Sequence, residues 1–167
     1  MRSLPILEAT PQWALLGAPR LVVSVWRAHV TVSGVAAIER AVEDVLRESS
    51  DRKYASITVI EKTVSMSFDD TARQASANLM KRFGASHCAH GYLVDGNGFL
   101  PAAVRTATAG LSLLTRAPYP TRVFSSSGEL VEWIAPLATL SRDEVMRAIA
   151  QARAATSNGA PFLSRAW

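Results

Sequence analysis

The chain has one cysteine, Cys88, so it cannot cross-link to itself and nothing in it requires an oxidising compartment. Charge is also scarce. Asp, Glu, Lys and Arg together make up 19% of the residues, too few for a self-repelling disordered segment. The basic excess is a net +4 with no long run, the densest pairings being Arg52-Lys53 and Lys81-Arg82. Scatter of that kind argues against a nucleic-acid or anionic-membrane surface. No apolar stretch approaches the roughly 18 residues that span a bilayer. Leu4, Ile6 and Leu7 are interrupted by Pro5 and Glu8, which is too short and polar for a signal peptide. These absences predict a soluble, cytoplasmic protein with no transmembrane segment.

What the chain does have is apolar mass. Hydrophobic residues make up 49% of its 167 positions, which predicts one domain with a substantial core. Much of that fraction is Ala and Val, so the layers should pack closely.

The order of elements is set by periodicity and punctuation. Residues 1–12 read as an N-terminal tail. Trp13 to Leu16 is a short strand, Gly17-Ala18-Pro19 a turn, and Leu21 to Trp26 a β-branched strand, so the two should pair as an antiparallel hairpin. A helix capped near Ser33 then carries Val35, Ile38, Val42, Val45 and Leu46 on one face. Tyr54 to Ile60 is a strand. Ser67 and Asp70 form a capping-box-like pair before a helix whose stripe is Phe68, Ala72, Ala75, Leu79 and Phe83, with Gly84 as terminator.

The stretch from His90 to Ile134 fixes the fold class. Strand Gly91 to Val94 leads through Asp95-Gly96-Asn97-Gly98 into a helix over about Pro101 to Thr115. Next come a Pro-bracketed turn, a strand (Thr121 to Phe124) and a helix capped by Ser126 and Glu129 and stopped at Pro136. Ser141 and Glu144 cap a last helix ending at Asn158-Gly159. The prediction is an α/β domain: a mixed, mostly parallel five-stranded sheet, an antiparallel edge hairpin strand, helices packed on the sheet, and an extra C-terminal helix.

Candidate chemistry is thin. His87-Cys88-Ala89-His90 is the one cluster of metal-type ligands, and in an extended segment the two histidines would face opposite sides. A third, His29, is distant in sequence, so no metal site or cofactor is predicted. Cys88 reads as a buried, inert thiol with His87 pointing away from it. Asp95, Gly96, Asn97 and Gly98 could cradle a small anion with backbone N–H groups, although Pro101 stands where a dinucleotide fingerprint needs its third glycine. The helix over Pro101 to Thr115 is apolar on nearly every side, which fits burial in an oligomer or against an apolar ligand. No carboxylate pair and no nucleophile elbow is present, so catalysis is not expected.

This pattern resembles the SpoIIAA-like fold of the sulfate-transporter and anti-sigma-factor-antagonist (STAS) superfamily of bacterial proteins, and the related CRAL-TRIO-type lipid-transfer domains. The likeness runs from Trp13 to Ile134. It is closest at Gly98-Phe99, Ala102-Ala103-Val104-Arg105, Gly110-Leu111, Thr121-Arg122-Val123-Phe124 and Glu129-Leu130-Val131-Glu132-Trp133. It implies a domain over residues 13–138 with a helical extension over 139–167. It also implies a non-catalytic regulatory or protein-interaction module, self-associating or docking on a protein partner. The alternative is a binder of an apolar small molecule or lipid between the Pro101–Thr115 helix and the sheet. Regulatory members carry Asp-Ser-Ser-Gly at the second helix, with one serine phosphorylated. The matching segment here, Lys62 to Phe68, has no Asp before its serines and no Gly after them. The phosphoswitch therefore does not carry over residue by residue; Ser65 and Ser67 are the positions a phosphate could take, and a helix cap is the plainer role for Ser67.

Overall fold

A computed structural model describes residues 5–61, 70–95, 102, 104–106 and 116–158. The sheet has six strands: β1 (Ile6–Ala9), β2 (Trp13–Ala18), β3 (Leu21–Trp26), β4 (Tyr54–Ile60), β5 (His87–Val94) and β6 (Thr121–Phe124). They lie side by side in chain order. β1, β2 and β3 pair antiparallel, and β3 through β6 run parallel. The mixed, mostly parallel architecture is thus the predicted one. The additional strand is β1, inside the segment read as a tail. The alternation Ile6, Leu7, Glu8 is too brief to register as a strand until β2 offers it an edge, and its ladder is irregular between Ile6 and Glu8.

Helix α1 (Val32–Glu48) joins β3 to β4, and α2 (Asp70–Phe83) joins β4 to β5 through a 3-10 turn (Gly84–Ser86). Parallel neighbours joined in sequential order by right-handed crossovers put every crossover helix on the same face of the sheet. The opposite face must be covered by the chain beyond β6. Helices α3 (Ser127–Ala138) and α4 (Arg142–Asn158) do this, α3 lying on β5 and β4 and α4 on β2 and β3. The extra C-terminal helix therefore packs on the face of the sheet.

Two cores result, and strand alternation sorts residues between them. Val23, Val25, Ile57, Val59, Ala89 and Leu93 meet Leu130, Ile134, Val145 and Ile149 from α3 and α4. Trp13, Leu15, Val22, Trp26, Tyr54 and Ile60 meet Val42, Val45 and Phe83 from α1 and α2. Val104, from the helix predicted over Pro101 to Thr115, is buried in the second core; Ala102, Arg105 and Thr106 are exposed. The rest of that predicted helix lies outside the described residues.

Local chemistry sets the ends of the helices. Thr31, not Ser33, caps α1: its hydroxyl accepts from the Gly34 N–H at 3.1 Å, because the helix begins earlier than the apolar stripe implies. Ser126 accepts from the Glu129 N–H as predicted. Ser141 and Glu144 form a reciprocal capping box, with Ser141 N–H donating to the Glu144 carboxylate at 2.8 Å and Glu144 N–H to Ser141 Oγ at 3.2 Å. Pro136 does not stop α3. It sits within the last turn, and the helix ends at Thr139 in the left-handed region (φ 56°).

Gly91 lies where α3 comes closest to the sheet, and a Cβ there would run into Leu130 Cδ1. Both residues are buried, so the clash cannot be relieved into solvent. Gly91→Ala should lower the unfolding free energy by about 1–3 kcal/mol, measured by urea denaturation. An unchanged midpoint would mean that Leu130 swings aside freely.

Candidate ligand-binding cavity

The face under α1 and α2 carries the unusual chemistry. A buried parallel strand normally presents a continuous apolar surface. Here β3 contributes Ser24, β4 contributes Ser56 and Thr58, and β5 contributes His87 and His90, all toward the same side. Helix α2 packs on α1 more than on the strands. Its buried residues are few (Ala72, Met80 and Phe83), so it leaves space above this polar strip. The result is a cavity of about 100 Å³. Its floor is the strip, and its walls include Val22, Trp26, Val35, Ile38, Val42, Leu79 and Met80.

An irregularity in β5 makes the floor possible. Tyr54 pairs with His87, but the next residue, Ala55, pairs with Ala89. Cys88 is the extra residue of a bulge, which shifts the alternation by one. The prediction that His87 and His90 face opposite sides is therefore incorrect: both rings face α1 and α2, with centroids 5.6 Å apart. His87 points into the cavity. Cys88 is half-buried at the bulge, where a buried thiol was predicted. Among the described residues no third His, Cys, Asp or Glu joins the histidines as a metal-binding group.

Hydrogen bonds tie the strip together across three strands. Ser24 Oγ donates to Thr58 Oγ1 at 3.3 Å, and Thr58 Oγ1 shares a hydrogen bond with His90 Nε2 at 3.0 Å. Ser56 Oγ is 2.8 Å from His87 Nε2. Aromatic rings flank the imidazoles. Tyr54 stacks on His87 at 4.4 Å, Tyr92 stacks on His90 at 4.3 Å, and Tyr119 lies tilted against His87 at 3.9 Å.

Burial sets the protonation states. Desolvation, with a smaller push from neighbouring His90, holds His87 well below the ordinary imidazole range. Desolvation alone lowers His90 to about 4. The phenols of Tyr54, Tyr92 and Tyr119 are all raised, chiefly by burial. At neutral pH the floor is thus a set of neutral donors and acceptors. The Ser56–His87 contact has the spacing of a nucleophile–base pair, but no carboxylate contributes to the shift of either histidine. Among the described residues the arrangement offers directional hydrogen bonds without an orienting acid.

Of the predicted site residues, Asp95 does not line the cavity; it lies just past β5, and its carboxylate is held by Arg153 of α4 through two hydrogen bonds of 2.7 and 2.8 Å. Gly96, Asn97 and Gly98 fall outside the described residues, as do Ser65 and Ser67. Ser24, Ser56, Thr58, Tyr54 and Tyr92 were not singled out from sequence. The available signal was Ser56 and Thr58 alternating with Ala55, Ile57 and Val59 in a strand otherwise apolar enough to be buried on both faces. Compared with protein families and with curated proteins, the chain matches no family model and no curated relative.

Both imidazoles are neutral in the folded chain and titrate near 6.5 when unfolded. Their contribution to stability is complete above about pH 6.5 and falls below it, because the unfolded state takes up the protons first; for His90 it is lost as the pH reaches about 4. Each histidine adds at most about 1.4 kcal/mol per pH unit to that slope. His90→Gln should flatten the dependence of unfolding free energy on pH below about 6 by up to one proton's worth. Equal slopes in the two proteins would place the His90 proton in the folded state already.

Tyr119 Oη and Thr121 Oγ1 are buried without a hydrogen-bond partner. Such groups carry a desolvation cost with no return. Tyr119→Phe and Thr121→Val should each leave the thermal midpoint unchanged or raise stability by about 1 kcal/mol in calorimetry. A clear loss in either variant would reveal a bonded hydroxyl.

Proposed function

We propose that this domain binds a small molecule in the cavity between the sheet and helices α1 and α2, and acts by binding, without catalysis. One observation carries the reading: a hydrogen-bonded polar strip of Ser24, Ser56, Thr58, His87 and His90 lies beneath apolar helix walls. Convergent polar groups inside an apolar hollow are the general signature of a ligand site. Ser24 and His87 are buried and Ser56, Thr58 and His90 half-buried; placing these five polar side chains on a sheet face that could have been all Val and Ile gives up stability unless the groups serve something.

The described walls of the hollow come from the strands, α1, α2 and Val30, while most of the Pro101–Thr115 helix expected over an apolar ligand lies outside the described residues. The resemblance to the SpoIIAA-like group supports a regulatory setting, in which occupancy would be read out by a partner or a second copy of the chain. The surface gives less support than the interior. Among the described residues the exposed large hydrophobics are Val32, Leu137 and Met146, one on each of three helices.

Ser76 allows a test from the helix side. It lines the cavity, and its hydroxyl donates to the carbonyl of Ala72 one turn earlier, at 2.9 Å. Ser76→Phe should fill the hollow. Benzene-sized fragments should raise the thermal midpoint of the wild type by about 2–4 °C per kcal/mol of binding linkage, and should not move that of Ser76→Phe. Equal shifts in both proteins would place binding elsewhere.

A further inference from the structure

Resting on the reading above, we infer that the cavity selects a small neutral aromatic alcohol of the phenol class, its hydroxyl on the sheet floor and its ring against the helices.

Size sets the first limit. The hollow is about 100 Å³, and cavities of about 150 Å³ hold benzene in protein cores. A single ring fits with modest side-chain adjustment, whereas an acyl chain or a nucleotide does not.

Charge sets the second. None of the described lining residues is Asp, Glu, Lys or Arg. A carboxylate, phosphate or ammonium would be desolvated there without a counter-charge, at a cost that no hydroxyl or neutral imidazole offsets.

Polarity sets the third. The hydrogen-bonding groups lie on the strands, and the helix side is Val35, Ile38, Val42, Leu79 and Met80 apart from Ser76, whose hydroxyl is bonded back into its own helix. The ligand must therefore be polar at one end only. Ser56 and Thr58 each have bonding capacity beyond the contact with an imidazole, as donor or acceptor according to the tautomer. A hydroxyl can meet either arrangement because it both donates and accepts; a ketone or ether only accepts. Trp26, Tyr54 and Tyr92 border the hollow and favour a planar ring, and the Met80 side chain offers a sulfur-aromatic contact.

The test is a titration of the full-length chain at neutral pH with phenol, toluene and benzoate, read by calorimetry and by thermal midpoint. Phenol should bind about tenfold tighter than toluene, the worth of one net hydrogen bond. Benzoate should not bind. Thr58→Val and Ser56→Ala should each narrow the gap between phenol and toluene while leaving toluene affinity in place. The wild-type comparison does not depend on how well those variants fold. Toluene binding as tightly as phenol, or benzoate binding best, with Ser76→Phe still blocking the response, would overturn the ligand class and leave the cavity as the binding site. No response to any of the three up to their solubility limits would overturn both readings.

Discussion

Strand order constrains everything else in this molecule. Four parallel strands in sequential order, linked by crossovers of one hand, commit α1 and α2 to a single face, where Val104 from between β5 and β6 is also buried. The other face would be bare if the chain stopped at β6. Helices α3 and α4 close it, with Leu130, Ile134, Val145 and Ile149 at most 3% exposed. The central strands are thus covered on both sides, and the polar side chains they carry are buried or half-buried. That is why Ser24 is only 2% exposed although serine is ordinarily a surface residue. The chemistry of the floor is a product of the topology: without the crossover helices α1 and α2 over that face, the same hydroxyls and imidazoles would be solvated and ordinary.

Ion pairs hold the carboxyl ends of these strands. Arg27, just past β3, pairs with Glu61, just past β4, and Asp95, just past β5, pairs with Arg153. The ladder continues between them, with Glu61 N–H donating to the Trp26 carbonyl at 3.0 Å and Asp95 N–H to the Ile60 carbonyl at 2.9 Å. Part-exposed pairs of this kind contribute little net stability. Their value is geometric: Arg27–Glu61 joins the ends of β3 and β4, and Arg153–Asp95 ties α4 to the end of β5.

Much of the fold was legible because it rests on long, strongly periodic segments. The stripes of α1 and α2, the capping boxes at Ser126 and Ser141, and the β-branched runs at Leu21 and Tyr54 all signal through local chemistry. β1 was not legible: four half-buried residues with a broken register have no pattern of their own and become a strand only against β2. The place of α4 on the sheet was not legible for a related reason. Its stripe of Val145, Ile149 and Ala152 shows that it packs, but not that a whole sheet face stands open to receive it. The site was less legible than the fold, and the cause is a single residue. Reading β5 as a regular strand sends His87 and His90 to opposite sides. The bulge at Cys88 reverses that conclusion, and nothing in His87-Cys88-Ala89-His90 announces a bulge. The hydrogen-bonded strip then needs Ser24, Ser56 and Thr58 from two other strands, a relation set by register and invisible in any local window. Asp95 drew notice for its glycine-rich neighbours, while its carboxylate is occupied by a helix more than fifty residues downstream.

The placement of α4 also bears on how the chain reaches its final state. Residues near 150 cover strands formed by residues near 15 and 23, and the β2–β3 hairpin keeps one apolar side open until that distant helix arrives. Closure joins the two ends of the domain across almost its whole length. Search for that contact, slowed by the entropy of so long a loop, should dominate the approach to the native state. Chains released before α4 is made would display Leu16, Val23 and Val25 as a sticky ribbon, open to pairing with one another.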